Sequence, residues 1–132
     1  MIDDVYFLTV EEVVAIHADQ IDRYGGDRGL RDHGLLESAV HAAQNVAAYV
    51  EAWDLCDLAA AYIFHVAENQ PFVDGNKRAA LASGLVFLDQ NGIDVDDPGE
   101  LLYDVMISAA TKTLGKPQIA ATLRSLVVPP SE

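Results

Sequence analysis

The chain has 132 residues, of which 8 are Lys or Arg and 21 are Asp or Glu, so its formal net charge at pH 7 is −13. A protein this acidic repels nucleic acid and anionic membranes, and we expect neither as a partner. Hydrophobic residues make up 51% of the chain and aromatic residues only 8%; small and unbranched apolar side chains of this kind favour closely packed helices. The length predicts a single domain spanning residues 1–132.

The sequence predicts a cytoplasmic protein. No apolar run is long enough to span a bilayer. The N-terminal residues MIDDVYFLTVEE lack the basic start and the long apolar stretch of a signal peptide. Cys56 is the only cysteine in the chain, so it has no partner for an internal disulfide, which fits a reducing compartment.

The first helix is predicted to follow Thr9, because Thr9 and Glu12 form a capping-box pattern, and to stop at Gly25-Gly26. His17 lies on the apolar stripe of this helix. We interpret it as a packed histidine, since no second ligand lies at metal-binding spacing. Residues 25–34 are rich in glycine and charge, which predicts a surface loop; a substrate-facing flap is the alternative.

A second helix is predicted over residues 35–46, and its apolar face consists of Leu36, Val40 and Ala43. Residues 47–53, AAYVEAW, carry no clear signal. We treat them as a connector in which Tyr49 and Trp53 pack inward.

The third helix is predicted to begin after Asp54, a good N-cap residue, and to run to about Asn69. Pro71 disfavours helical geometry for the residue before it, so the helix should end at Gln70. Phe72 is predicted to be a buried anchor that fixes the following loop while its polar neighbours face outward.

The fourth helix, residues 76–91, has no charge between Arg78 and Asp89 and is predicted to be buried against the third helix. Asn91-Gly92 is its stop signal. Asp97-Pro98 is predicted to open another helix, whose inward face consists of Leu101, Leu102, Val105 and Ala109. Lys116-Pro117 is predicted to open a last one, which holds Ile119, Leu123 and Leu126. The predicted fold class is all-α, a compact bundle of about six helices around a buried central helix.

The residues DGNKR, 74–78, bring charge to the start of the apolar fourth helix. The first N–H groups of a helix lack internal partners, and the peptide dipoles make that end positive. Gly75 can adopt a positive φ and let a phosphate approach the backbone, while Lys77 and Arg78 supply a point charge and a planar fork. Asp74 is suited to hold a Mg²⁺ ion that bridges phosphates. The alternative, a solvated first turn, has no physical motive, since cations there oppose the dipole. The pattern therefore predicts a Mg-nucleotide site that opens onto a cleft.

The segment PFVDGNKR resembles the signature loop of the Fic/Doc superfamily, His-x-Phe-x-Asp/Glu-x-Asn-Lys/Gly-Arg. The stretches FLTVEEVVAIHADQIDRYGG, GLLESAV, LVFLDQNG and AATLRSL are similar to the Doc (death-on-curing) toxins, so the resemblance covers nearly the whole chain. Where the family has its catalytic histidine, this chain has Gln70. An amide does not take up a proton near neutral pH, so the loop lacks its general base. We expect His65 to pack beside the core and Glu68 to be an exposed carboxylate, rather than to replace that base.

The resemblance implies a set of site residues. The catalytic positions are Gln70, Asp74, Lys77 and Arg78; the nucleotide contacts are Gly75, Asn76, Lys77 and Arg78; and the metal ligand is Asp74. ATP and Mg²⁺ are the implied substrate and cofactor.

The resemblance also implies a reaction and partners. Fic enzymes with Gly after the motif Asn transfer AMP to a protein hydroxyl. Doc proteins have Lys there, as at Lys77, and transfer the ATP γ-phosphate to a threonine of elongation factor Tu, which blocks translation. A Phd-like antitoxin is the implied partner, and the self-inhibitory Ser/Thr-x-x-x-Glu-Gly/Asn motif of many Fic proteins does not occur in this sequence. Two alternatives stay open: a catalytically silent member that binds nucleotide or antitoxin, and an AMP transferase.

Overall fold

Five helices and a short helical stretch make up most of the part of the chain that the structure describes. The computed structural model describes residues 4–96, 102–104 and 115–129. The helices are α1 (Val10–Tyr24), α2 (His33–Tyr49), α3 (Leu55–Asn69), α4 (Asn76–Gln90) and α5 (Lys116–Leu126), and residues 102–104 are also helical. The only β-structure in these ranges is two isolated antiparallel bridges, Leu30 with Phe72 and Val95 with Val127. The predicted all-α fold of about six helices is confirmed.

Local capping sets the starts of α1 and α3. The Thr9 hydroxyl accepts the Glu12 N–H at 3.1 Å, and the Glu12 carboxylate accepts the Thr9 N–H at 3.0 Å. Asp54 and Asp57 exchange the same two bonds at the start of α3, both at 2.9 Å. Each reciprocal pair satisfies two N–H groups that the helix leaves free, so both starts lie where the sequence predicts them.

The second helix is longer than predicted. It begins after Asp32, whose carboxylate accepts the Leu35 N–H at 2.9 Å, and it runs on through Tyr49. Tyr49 is 85% exposed, so the prediction that it packs inward is wrong. Because α2 stays helical, Tyr49 lies six residues beyond the buried Ala43 and about 240° around the helix from it. Trp53 is half-buried, as predicted, and its indole N–H donates to the Ala47 carbonyl at 3.0 Å.

Two neighbouring helices, α3 and α4, form the centre of the bundle. The third helix packs on α2, α4 and α5, and the fourth packs on α3 and α1. The two helices approach each other closely at Gly84, because a Cβ there would lie 2.5 Å from the Ile63 side chain and 3.2 Å from the Ala59 carbonyl oxygen. The predicted burial of α4 against α3 is thus confirmed, and it depends on a residue with no side chain.

The segment before α1 is fastened to the far end of α4 by Asn91. The Asn91 Oδ1 accepts the Tyr6 N–H at 2.9 Å, and its Nδ2 donates to the carbonyls of Tyr6 at 3.0 Å and Phe87 at 2.8 Å. The buried Tyr62 hydroxyl accepts the Leu8 N–H at 2.9 Å. These bonds hold residues 6–8 across the α3–α4 pair.

The C-terminal part agrees with the predictions where it is described. The predicted start at Asp97-Pro98 and the positions of Leu101, Val105 and Ala109 lie outside the described residues, whereas Leu102 is buried. Ile119 and Leu123 of α5 are buried and Leu126 is half-buried. None of the helices within the described ranges has the length and hydrophobicity to cross a membrane.

Candidate active site

A cleft of about 550 Å³ opens at the N-terminus of α4. Its wall combines the end of α1, the last turns of α3, the loop before α4, the first turn of α4 and Tyr103. All the site residues predicted from the sequence line it, namely Gln70, Asp74, Gly75, Asn76, Lys77 and Arg78. The expectation that the start of the buried helix opens onto a surface cleft is confirmed.

Gly75 gives the start of α4 the form of an anion site. It adopts φ +71° and ψ 23° in the left-handed region, and no side chain of the described residues caps the helix there. A Cβ at Gly75 would lie 2.9 Å from the Ile21 side chain. The Ile21 side chain therefore leaves no room for a side chain at residue 75. The helix N-terminus is positively polarised, and no side-chain cap of the described residues competes there with an anion.

Asn76 stabilises the loop that precedes α4 by two hydrogen bonds. Its Oδ1 accepts the Phe72 N–H and its Nδ2 donates to the Phe72 carbonyl, both at 3.0 Å. Phe72 itself is buried, as predicted, at 2% exposure. One side chain thus satisfies both backbone groups of the residue that anchors the loop.

His17 supports the same loop from α1. It is buried, its ring stacks on Phe72 with centroids 3.7 Å apart and 3° between the planes, and its Nε2 donates to the Asp74 carbonyl at 2.7 Å. The interpretation of His17 as a packed histidine is confirmed. Its supporting contact with Asp74 was not foreseen. The only signal in the sequence was a polar residue on an otherwise apolar stripe.

Residues 29–32 run antiparallel to the loop that precedes α4. The Val73 N–H donates to the Gly29 carbonyl at 2.9 Å, and the N–H groups of Arg31 and Asp32 donate to the Pro71 carbonyl at 2.7 and 3.0 Å. Residues 25–32 of the predicted loop are indeed a loop, whereas His33 and Gly34 already belong to α2. The loop is nevertheless joined to the wall of the cleft by backbone hydrogen bonds, which no pattern in the sequence indicated.

Gln70 occupies the position at which α3 ends. Its backbone is left-handed, with φ 48° and ψ 57°, and its N–H donates to the Val66 carbonyl. The Arg31 guanidinium donates to the carbonyl of Gln70 through Nε at 2.9 Å and Nη2 at 2.6 Å, and to that of Asn69 at 3.0 Å. The backbone is held by Arg31 and Pro71 while the exposed Gln70 side chain lines the cleft.

Asp74 and Glu68 are the two carboxylates among the described residues of the wall. One Asp74 oxygen, Oδ2, accepts the Asp27 N–H at 3.3 Å. The described residues contain no group of three or more His, Cys, Asp or Glu side chains that could hold a metal ion by themselves. A single carboxylate beside an anion site fits Mg²⁺, which commonly keeps one or two carboxylates and takes its other ligands from phosphates and water.

Lys77 and Arg78 carry the positive charge of the cleft. Lys77 is exposed. The Arg78 guanidinium carbon lies 3.8 Å from the ring centroid of Tyr24 and 4.5 Å from that of Tyr103. The cationic group therefore lies over two aromatic rings, within the distance of a cation–π contact.

His65 lies outside the cleft wall, as expected. It is half-buried, and its Nε2 accepts a hydrogen bond from the Lys116 ammonium at 3.1 Å. Burial, followed by the Lys116 charge, lowers the pKa of His65 below its ordinary value. Glu68 is exposed, also as expected, and lines the cleft.

The sequence is similar to those of known proteins. The Fic/DOC family profile matches residues 7–88. A protein named "Protein kinase doc" from Escherichia phage P1 is 40% identical over 119 residues, which are 90% of this chain and 94% of that protein. "Toxin Doc" from Mycolicibacterium smegmatis is 39% identical over 103 residues, or 76% of this chain and 79% of that one. The chain belongs to the Fic/DOC family.

Proposed function

We propose that the protein is a Doc-type toxin that transfers the γ-phosphate of ATP to a threonine of elongation factor Tu and so blocks translation. The observation that carries the proposal is the convergence of Asp74, Lys77 and Arg78 on the open N-terminus of α4. Phosphoryl transfer requires positioning and charge neutralisation more than covalent chemistry by the protein. These residues supply both.

Each residue has a role in this proposal. The first N–H groups of α4, Lys77 and Arg78 bind the phosphates, and the positive φ of Gly75 keeps the approach open. Asp74 holds Mg²⁺, which neutralises phosphate charge when bound. Asn76 acts by holding Phe72, and through it the loop. Lys77, rather than glycine, favours phosphate transfer over AMP transfer, and a relative bears the name of a protein kinase.

Gln70 lowers the activity of this cleft. It lines the wall where the family places its base, but an amide cannot accept a proton near neutral pH. It can still orient the attacking hydroxyl by a hydrogen bond, as glutamine does with water in some nucleotide hydrolases. The same residue favours the second candidate function, a silent module that acts by binding nucleotide or antitoxin.

An antitoxin of the Phd type is the partner we propose, and the cytoplasm, where elongation factor Tu works, is the compartment. The relative named as a toxin supports such a partner. Co-expression with the neighbouring open reading frame tests it. Separate elution of the two proteins at micromolar concentration would contradict it.

The mass of elongation factor Tu after incubation with Mg-ATP separates the candidate functions. Gain of a phosphate supports the kinase, gain of AMP supports the transferase, and no gain supports the silent module. The protein and its Gln70→His variant are compared, and the rate of phosphate gain is expected to rise by about 10²–10⁴-fold in the variant, the usual contribution of a general base.

Gln70→Asn is the matched control. Asparagine and histidine both adopt the left-handed conformation of residue 70 more readily than most residues, but asparagine adds no base. It should therefore leave the rate low. Equal rates for the His and Asn variants would mean that position 70 does not hold the base.

A further inference from the structure

Arg78 is held in a different way from the other arginines of the chain. Arg23 pairs with Asp19 at 2.9 Å, Arg28 pairs with Asp22, Arg31 donates to backbone carbonyls, and Arg124 pairs with Asp54 and Asp57 at 2.8 Å. The guanidinium of Arg78 has no carboxylate or carbonyl partner among the described residues. Its contacts there are the rings of Tyr24, at 3.8 Å, and Tyr103, at 4.5 Å.

That difference has a chemical consequence. A carboxylate partner neutralises a guanidinium and takes up its N–H donors. Aromatic rings carry no net charge and are only weak acceptors, so they leave the positive charge and the N–H donors of the guanidinium available to another ligand. In a chain with net charge −13, carboxylate partners are plentiful, so their absence from the described surroundings of Arg78 matters.

We infer that Tyr24 and Tyr103 are positioning residues that hold the Arg78 guanidinium at the cleft so that its N–H groups grip phosphate oxygens. The inference rests on the proposed nucleotide-binding function. Tyr24 is the last residue of α1, and Tyr103 belongs to the helical stretch 102–104. Both rings line the cleft together with Arg78. They limit the rotamers of a long side chain before the anion arrives, which lowers the entropy cost of binding.

A different role for the rings is direct stacking on the adenine base of the nucleotide. The two roles predict different effects of the rings on ligand affinity when Arg78 is removed and when the ligand lacks adenine. Rings that act through Arg78 matter equally for ATP and for inorganic tripolyphosphate, and they matter little once Arg78 is gone. Rings that stack on the base matter for ATP alone.

The test is calorimetric titration with Mg-ATP and with Mg-tripolyphosphate. Tyr24→Leu and Tyr103→Leu are each expected to raise both dissociation constants by about threefold to tenfold, within the range of a cation–π contact. Tyr24→Phe, which keeps the ring, should restore native affinity. Tyr49→Leu is the control, because Tyr49 ends α2 as Tyr24 ends α1 but lies away from the cleft. Thermal melting checks that each variant is folded.

The double variants with Arg78→Ala complete the experiment. In that background the leucine substitutions should cause no further loss, because they act through the missing guanidinium. The inference is overturned if leucine at 24 and 103 leaves affinity unchanged while Arg78→Ala weakens it, or if the losses are confined to ATP or persist without Arg78. If Arg78→Ala itself has no effect on either probe, the proposed phosphate site is wrong, and the inference falls with it.

Discussion

Asn76 and Asn91, at the two ends of α4, each use the side-chain amide to hydrogen-bond both backbone groups of one other residue. The Asn76 amide bonds both the N–H and the carbonyl of Phe72, each at 3.0 Å. The Asn91 amide does the same for Tyr6, at 2.9 and 3.0 Å. The helix spans 15 residues, or about 22 Å, so the hydrogen bonds of Asn76 lie at the cleft and those of Asn91 lie far from it.

This pairing makes Asn91→Ala a matched control for Asn76→Ala. Both variants leave backbone groups without their partner, and we expect each to lower the free energy of unfolding by about 1–3 kcal/mol. Only Asn76→Ala should also weaken Mg-ATP binding, because only it releases the loop that carries Asp74. Denaturant titration and calorimetry measure the two effects. An equal loss of affinity in both variants would show that general destabilisation, rather than the loop, is responsible.

The contact of His17 with Asp74 can be removed without removing the ring. In His17→Phe the stacking on Phe72 is kept, but the donor to the Asp74 carbonyl at 2.7 Å is lost. We expect the free energy of unfolding to change by about 1 kcal/mol or less, and Mg-ATP binding to weaken because the carbonyl of Asp74 is no longer tethered. His41→Phe, at an exposed position on α2, is the control. Native affinity in His17→Phe would show that Phe72 and Asn76 suffice to hold the loop.

Gly84 should not tolerate a methyl group. A Cβ there would lie 2.5 Å from the Ile63 side chain, so Gly84→Ala is expected to destabilise the protein by about 1–3 kcal/mol. In an Ile63→Ala background the same substitution should cost less, since the side chain it meets is gone. Gly34→Ala is the contrast: its nearest neighbour would be 3.4 Å away, so it should be neutral or stabilising. Equal cost for Gly84→Ala with and without Ile63 would contradict the proposed contact.

His65 gives the stability a defined pH dependence. Its pKa is lowered in the native state by burial and by Lys116, while in the unfolded chain it returns to about 6.5. The unfolded state therefore binds the proton first, and the free energy of unfolding falls as the pH drops from about 6.5 through the native pKa. His65→Gln should lose this part of the slope, whereas His41→Gln, at an exposed position, should keep it. Urea titrations between pH 5 and 7.5 measure it, and parallel curves for His65→Gln and the native protein would refute it.

Local signals explain the parts of the structure that could be predicted. The capping pairs at Thr9 and Asp54 act within one helical turn, so the starts of α1 and α3 follow from neighbouring residues. The predicted end of α2 was too early. Residues 47–53 contain neither glycine nor proline, so no local signal marks where the helix ends. The site loop was also predictable, because its charged residues and Gly75 adjoin the apolar helix that they begin.

Long-range contacts explain what could not be predicted. His17 meets Phe72 across 55 positions in the sequence, and Arg31 caps the end of α3 from the loop after α1. Tyr103 reaches Arg78 only because the bundle brings the stretch 102–104 to the cleft. Such contacts depend on how helices pack, which helical periodicity alone does not specify.

Arg31 donates hydrogen bonds to the carbonyls of Asn69 and Gln70, so it holds the backbone at position 70 without contacting the side chain there through these bonds. Because Arg31 holds the turn from outside, we expect a change of residue at 70 to alter the chemistry of the cleft with little effect on folding. Glutamine and histidine codons differ only in their third base. Under the proposed function, a lineage with this scaffold can therefore lose or regain a general base by one point mutation, while the selected fold and any antitoxin that recognises it stay the same.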